Sequence, residues 1–306
     1  MTRKNLLHMM VILTLLAACA GSPGSTGADR LDRNRQSYYV SAAGSDSNNG
    51  KSATRPFKTL TKAINAAYEG DINTITVIGT LTHISEEGEG FFLNFKNSDR
   101  EIFITGRLNA PENQRAILTV NGLMPGVIEI TNGKFRFEHI AITGGMLGGL
   151  LAHENAQVTL GPGSIVHDNT GFGVLVADES SVIIDGGEIR SNGRTGIDVL
   201  ENGSLIMNSG VISENRHIHA GGVYVHTGGV FVMSGGIITG NNADGLGGGI
   251  AVDVGGTFIL KDGLITGNNA EEGGGVFIRD GGIFEQTGGT IDGNTARYGP
   301  DLIEMF

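Results

Sequence analysis

The chain has 306 residues, of which 51 are glycine and 17% are charged, and it contains one cysteine and no tryptophan. The glycines follow no triplet period, which excludes a collagen-like chain, and a single cysteine excludes a disulfide framework. A formal net charge of −11 argues against nucleic acid as a partner and against anionic lipid surfaces as binding sites.

Residues 1–18 have the features of an export signal. Arg3 and Lys4 supply positive charge, and an apolar run from Leu6 to Leu16 follows that is too short for a stable bilayer-spanning helix. The next residues, up to Cys19, read Leu-Ala-Ala-Cys and resemble the lipobox of bacterial lipoproteins. This resemblance implies cleavage before Cys19 and acylation of the cysteine. An ordinary secretory signal with an incidental cysteine is the alternative.

Several acyl chains hold a protein stably at a membrane. We therefore expect a lipid-anchored protein of the bacterial cell envelope, at the outer membrane or the cell surface, with the membrane as a partner. Residues 19–36 are rich in Gly, Ser and charged side chains, which predicts a flexible tether.

The folded domain is predicted over residues 37–306, and it begins with a cap and a first coil over residues 37–86. Within this segment one face of a predicted helix is apolar, and Pro56 suits its first turn. That face consists of Phe57, Leu60, Ile64 and Ala67. A helix here covers the open end of a stacked core, as repeat proteins require.

Several short motifs of this segment occur in a recognisable order. They are Tyr-Val-Ser ending at Ser41, Gly-x-Asp-x-x-x-Gly over 44–50, Pro-Phe-Lys-Thr over 56–59, Ala-Ile ending at Ile64, and Gly-Thr ending at Thr80. Together they resemble the opening of the pectate-lyase-like superfamily of right-handed β-helices. The resemblance implies the fold and leaves activity open, because lyases and non-enzymes share it.

Residues 87–131 contain four irregularly spaced strand candidates, which we interpret as loop-decorated coils. These are Phe91–Phe95, Ile102–Ile104, Ile117–Val120 and Ile128–Ile130. From residue 132 the coils become regular, with starts at 132, 155, 180, 202, 228, 255 and 281. The last four starts are 26 to 27 residues apart, and a fixed period of this size indicates a solenoid.

Each repeat contains three short runs of alternating apolar residues bounded by Gly, Asn or Asp, which is a strand pattern. Three short strands per repeat predict an all-β fold, a three-faced parallel β-helix, and parallel connections are right-handed. Like residues then stack along the axis in three inward columns. The first is Phe135, Val158, Val182, Leu205, Phe231, Phe258, Phe284; the second is Phe137, Leu160, Ile184, Met207, Met233, Leu260, Gln286; the third is Ile142, Ile165, Ile189, Ile212, Ile238, Ile265, Ile291.

A ladder of asparagines recurs once per coil. Its members are Asn169, Asn192, Asn215, Asn241, Asn268 and Asn294. Asparagine tolerates left-handed φ at turns, and its amide can bond to the next amide in a stack. We interpret these residues as structural. The Gly-Gly-Val/Ile and Ile-x-x-Asn repeats also resemble the passenger regions of polymorphic outer-membrane and adhesin-like proteins.

Two polar groups are candidates for chemistry. Polysaccharide lyases of this fold resemble one another in needing clustered acids and a basic residue on one face; the closest set here is Arg190, Arg194, Asp198 and Glu201, with solvated surface charge as the simpler interpretation. A second group is His217, His219 and His226, which suits a metal only if an acid joins it, and a polar turn is the favoured interpretation. We predict no metal site and no cofactor.

Two outward-facing groups are candidates for binding. Ile183, Ile206, Val232 and Ile259 alternate with inward residues and are predicted to form an apolar stripe that faces solvent, which marks an interaction surface. The alternative is that strands simply favour β-branched residues and that a loop from 87–115 covers them. On another face, Tyr224 and Phe277 are candidates for stacking on sugar rings.

Three functions therefore stay open. The favoured one is a surface-anchored, non-enzymatic β-helix that presents an adhesin-like binding face to a glycan or protein. The others are a polysaccharide lyase or related carbohydrate-active enzyme on the same scaffold, and a spacer without a ligand.

Overall fold

A computed structural model describes residues 36–83, 90–95, 100–108, 110, 115–120 and 126–305. The predicted export signal, Cys19 and nearly all of the predicted tether lie outside the described residues. Residues 37–306 form one compact unit. Within the described part of the chain, no helix combines the length and the apolarity that crossing a bilayer requires.

The described elements are one short helix and a long series of strands. The first are β1 (Ser37–Val40), α1 (Leu60–Glu69), β2 (Thr74–Val77), β3 (Thr80–His83), β4 (Phe91–Asn94), β5 (Glu101–Thr105), β6 (Ala116–Val120) and β7 (Gly126–Thr131). There follow β8 (Lys134–Glu138), β9 (Ile140–Thr143), β10 (Gly148–His153), β11 (Gln157–Leu160), β12 (Ile165–His167), β13 (Phe172–Val176), β14 (Ser181–Arg190), β15 (Ile197–Val199) and β16 (Ser204–Ser213). The last are β17 (Arg216–His217), β18 (Val223–Val225), β19 (Val230–Thr239), β20 (Asn242–Ala243), β21 (Ile250–Val252), β22 (Thr257–Thr266), β23 (Asn269–Glu272), β24 (Val276–Ile278), β25 (Ile283–Gln286), β26 (Thr290–Ile291), β27 (Thr295–Tyr298) and β28 (Leu302–Glu304).

The strands pair in parallel and wind into a solenoid, so the predicted all-β, three-faced parallel β-helix is confirmed. Sheet A provides two faces, because strands such as β16 and β19 bend at a corner and belong to both. Sheet B, which runs from β4 to β28, provides the third face. A small sheet C, with the order β17-β20-β23-β27, lies along one corner and was not predicted.

Helix α1 covers the N-terminal end of the core, as predicted. Its buried residues are Leu60, Ala63, Ile64 and Ala67, and it packs against β1, β2 and β4. The predicted role of Pro56 in the first helical turn is wrong. Thr59 is the N-cap, and its hydroxyl accepts a hydrogen bond from the Lys62 amide at 3.2 Å. The Pro56 carbonyl instead accepts a hydrogen bond from the amide of Ser45 at 3.1 Å.

The inward columns of like residues are present with the predicted register in two cases of three. The first column pairs Phe231 with Phe258 and Phe258 with Phe284, and adjacent rings stack at centroid distances of 5.0 and 5.3 Å. The third column is wrong at one position. Val166, not Ile165, pairs with Ile142 and Ile189, because the shorter strand β12 enters the column one residue later.

The predicted bonds between ladder asparagines are present. From Asn192 to Asn294, each Oδ1 accepts from both the backbone amide and the Nδ2 of the asparagine one coil earlier; for Asn241 and Asn268 both distances are 3.0 Å. The Oδ1 of Asn169, the first member, accepts from the backbone amide of Gly145 at 2.9 Å. Each Nδ2 also donates to a strand carbonyl, as Asn268 does to Ile238 at 2.9 Å. After Asn294, Asp301 takes the place of the next asparagine and accepts both bonds, at 3.0 and 3.1 Å.

The predicted left-handed φ of these asparagines is wrong. The positive φ falls on the residue before each one, namely Asp168, Ser191, Glu214, Gly240, Gly267 and Gly293. That residue turns the corner, and the asparagine after it is free to direct its amide into the buried stack.

A column of glycines packs directly against the asparagine ladder. Its members are Gly149, Gly173, Gly196, Gly222, Gly249 and Gly275, and a Cβ on each would lie 2.7 to 3.2 Å from the Nδ2 of a ladder asparagine. At Gly222 the Cβ would also lie 2.4 Å from the carbonyl oxygen of Gly249. The glycines of this column therefore have a structural role, because they leave room for the asparagine ladder.

The predicted solvent exposure of the apolar stripe is wrong. Ile206, Val232 and Ile259 are only 6%, 3% and 6% exposed, and Ile183 is half-buried. Val232 and Ile259 pack with Val230 into a small apolar cluster separate from the main core. The stripe is therefore not an open interaction surface.

Candidate ligand-binding face

The outward side of sheet B carries the polar and aromatic side chains that the core cannot hold. One outward column aligns Leu151, Leu175, Asp198 and Tyr224 on β10, β13, β15 and β18. The strands β15, β18, β21 and β24 are short and each follows a glycine, and their parallel pairing fixes the register of the outward residues. A functional side chain placed here keeps its position along the axis.

The connection that leads into sheet B is longer before β18 than before β15. The segment Asn192–Gly196 is short, whereas Asn215–Gly222, Asn241–Gly249 and Asn268–Gly275 are longer. The added residues contain β17, β20 and β23 and so build sheet C. A step in the surface therefore lies between β15 and β18.

The longer connections cover sheet B on the C-terminal side of the step. A Cβ on Gly247 would lie 2.7 Å from the Cβ of Ala251, and one on Gly273 would lie 2.8 Å from the Cβ of Phe277. Both outward side chains are only 2% exposed. The predicted sugar-stacking role of Phe277 is therefore wrong, because its ring has no free face.

Three rings form an aromatic platform at the step: His219, Tyr224 and His226. The ring centroids of Tyr224 and His226 are 3.9 Å apart, and those of His219 and Tyr224 are 6.3 Å apart. His217 approaches His219 with a centroid distance of 5.8 Å, and its Nδ1 lies 3.1 Å from the hydroxyl of the buried Thr195. Tyr224 and His226 are half-buried, and His219 is exposed.

Two carboxylates flank the platform. Asp198 lies on the N-terminal side, with Oδ1 3.4 Å from Nε2 of His226. On the other side Tyr224 donates its hydroxyl hydrogen to Asp253 at 3.4 Å. Asp253 also forms an ion pair with Arg279 at 3.0 Å. The arrangement offers carboxylate acceptors on both sides of an apolar ring surface.

The pKa shifts at this site have identifiable causes. Burial, followed by the negative charge of Asp253, raises the pKa of Tyr224, so its hydroxyl keeps its proton at neutral pH. Burial lowers the pKa of His217 against the opposing attraction of Asp198, so this imidazole is neutral at neutral pH.

Comparison with known proteins agrees with this architecture. A family model described as the right-handed beta helix region matches residues 125–298, more than half of the chain. The chain belongs to the right-handed β-helix family. The crystal structure of pectate lyase Pel9A is similar with a TM-score of 0.54 and 17% sequence identity, covering 80% of this chain and 68% of that chain. At this identity the similarity shows the fold alone. No curated protein matches the chain.

The four candidate catalytic residues do not converge in this β-helix. Arg190 lies on sheet A, where its Nε is 3.6 Å from an oxygen of Glu188. Arg194 is exposed in the connection before sheet B, Asp198 is on sheet B, and Glu201 is exposed at the next corner. Sequence spacing placed the four within one coil, but one coil of a β-helix passes over three faces. Of the four, only Asp198 belongs to the site. Arg194 lies close enough to His217 to lower its pKa, and Asp198 acts on the same imidazole with the opposite sign.

Among the described residues, no group of three or more His, Cys, Asp or Glu side chains is placed to hold a metal ion. His219 and His226 instead lie beside Tyr224, and His217 lies beside His219. The sequence analysis missed Asp253, Arg279 and Thr195. The first two follow β21 and β24 at the same offset as His226 follows β18, and this shared offset was the signal available in the sequence.

Proposed function

We propose that this β-helix is a lipid-anchored, adhesin-like protein of the bacterial cell envelope that binds a glycan on the outer side of sheet B without modifying it. The observation that carries the proposal is the aromatic platform around Tyr224 with Asp198 and Asp253 on its two sides.

This combination suits the surface of a sugar ring. Pyranose rings present C–H faces that pack on aromatic rings, and they carry hydroxyl groups around their edge. A tyrosine or histidine ring offers an apolar body and a polar tip, and an ionised carboxylate accepts hydrogen bonds on both oxygens. The Tyr224 hydroxyl donates its hydrogen to Asp253, and its oxygen can accept a hydrogen bond from a sugar hydroxyl.

The anchoring part of the proposal is supported by the sequence from Leu16 to Cys19. Acylation would hold the β-helix at the membrane through the segment that follows. Cys19→Ser would then release the protein from the membrane fraction, whereas a conservative change in the next residues, such as Ser22→Thr, would leave it there. Retention of the Cys19→Ser variant in membranes would contradict lipid anchoring.

The binding part is tested with full-length protein on a glycan array. Tyr224→Ala is expected to abolish binding, because it removes the central ring. Tyr298→Ala is the matched control: Tyr298 is 50% exposed on β27 and takes no part in the platform. Equal binding by both variants, or no glycan bound by the parent protein, would contradict the proposal.

A polysaccharide lyase is the second candidate. It is favoured by the contact of Asp198 with His226 beside Tyr224, since an oriented imidazole can act as a general base. Uronate polymers incubated with the protein would then gain absorbance from unsaturated ends, and Asp198→Ala would remove that gain. Such a result would replace the binding-only proposal.

A further inference from the structure

The outward side of sheet B continues from the aromatic platform toward the N-terminal coils as a strip whose described residues are partly exposed. We define the N-terminal strip by Leu151, Leu175 and Asp198, which align with Tyr224 in one column. All three are partly exposed. On the other side of the platform Ala251 and Phe277 are buried. A long ligand that touches Tyr224 can therefore extend in one direction only, over the strip.

The rim of this strip is acidic. The exposed residues at the corner after β10, β13 and β15 include the acids Glu154, Asp178, Glu179 and Glu201. Near the platform two arginines are already matched by acids, Arg279 by Asp253 at 3.0 Å and Arg216 by Asp244 at 3.0 Å.

Two of the histidines along this path have identified surroundings. At the far end of the strip His153 Nε2 lies 2.8 Å from the carboxylate of Glu129, and at the platform burial lowers the pKa of His217. Arg194 is a cation at the step, but the acids along the rim outnumber it. A polyanion such as a uronate polymer would be repelled along this path, as like charges are at short range.

We propose that the ligand is a neutral polysaccharide whose chain runs from the platform at Tyr224 over Asp198, Leu175 and Leu151. The inference rests on the proposed glycan binding and narrows it. The leucines support the apolar faces of successive sugar rings, and the carboxylates accept hydrogen bonds from hydroxyl groups. Binding of a neutral ligand releases no counterions, so the affinity should depend little on the salt concentration.

The test is a titration of full-length protein with neutral polysaccharides (a β-glucan, a xylan and a mannan) and with uronate polymers (polygalacturonate and alginate), at neutral pH and at low and high salt. We expect saturable binding to a neutral polymer with no more than a small effect of salt. Leu175→Arg should weaken it by more than about tenfold, because the new side chain blocks the strip. Ile237→Arg, at a position 40% exposed on sheet A, should bind as the parent does.

Two results would overturn the inference while leaving glycan binding intact. One is tighter binding of a uronate polymer, weakened by salt; the other is equal affinity of the Leu175→Arg and Ile237→Arg variants for the neutral polymer. Failure of the parent protein to bind any polymer would instead contradict the proposed function itself. Circular dichroism of both variants establishes that each retains the β-helix.

Discussion

The asparagine ladder allows a quantitative prediction. In Asn268→Ala, two hydrogen bonds to Oδ1 and three from Nδ2 are lost, the latter to Ile238, Thr266 and Asn294. At about 1 kcal/mol for each net hydrogen bond, and with less for the shared donor to Thr266, the free energy of unfolding should fall by about 4 kcal/mol. The loss is not recovered by water, because Asn268 is 0% exposed.

The adjacent Asn269 provides the control. Its side chain is exposed and bonds to Asn242 at 2.7 Å on the outside of the coil, so Asn269→Ala should change stability by no more than about 0.5 kcal/mol. Urea unfolding of the full-length protein, followed by circular dichroism, measures both values. A difference between the two variants below about 1 kcal/mol would refute the idea that the ladder stabilises the stack.

Two further predictions concern titrating groups. Burial opposes ionisation of Asp46, but hydrogen bonds from Thr59 and Lys58 outweigh it and hold its pKa below the usual value. Asp46→Ala should therefore cost about 1 kcal/mol at neutral pH, because hydrogen bonds to an exposed carboxylate are lost. The cost should be smaller in acid below the folded pKa, where the carboxyl group is protonated, and an equal loss in acid on urea unfolding would contradict this. Because burial lowers the pKa of His217 from 6.5, the unfolded chain takes up this proton first as the pH falls below that value, and stability is lost. The His217→Gln variant should show a smaller decrease in thermal midpoint between about pH 7 and pH 5, and parallel profiles would argue against it.

Much of the fold was predictable because the repeat reports the register directly. Phe231 and Phe258 occupy the same place in consecutive units, and parallel stacking puts them one above the other. The error at Ile165 arose where the coil shortens, since two adjacent apolar residues offer two registers and only the hydrogen-bonded pairing selects Val166. The local sequence shows which residues are apolar, but strand pairing between coils decides which of them point inward.

The candidate site was less predictable, because its residues come from different coils and from a corner. Tyr224 and Asp198 were identified from their outward position on adjacent strands. The contacts of His226 and Asp253 with them depend on side-chain directions after the strands end. Alternation along a strand also could not reveal that Phe277 is covered, because the covering segment contains Gly273 and lies in the preceding connection.

The location of the site follows from how a β-helix tolerates change. The inward columns and the Asn–Gly contacts allow little variation, since a Cβ at Gly222 would already lie 2.4 Å from a backbone oxygen. The length of the connections is less restricted, and the connection after Asn215 is longer than that after Asn192. The added residues bring His217 and His219 to the edge of sheet B beside Tyr224. In a repeat protein whose interior is uniform, the point where the repeat changes length is where a specific surface can form, and here that point coincides with the aromatic platform.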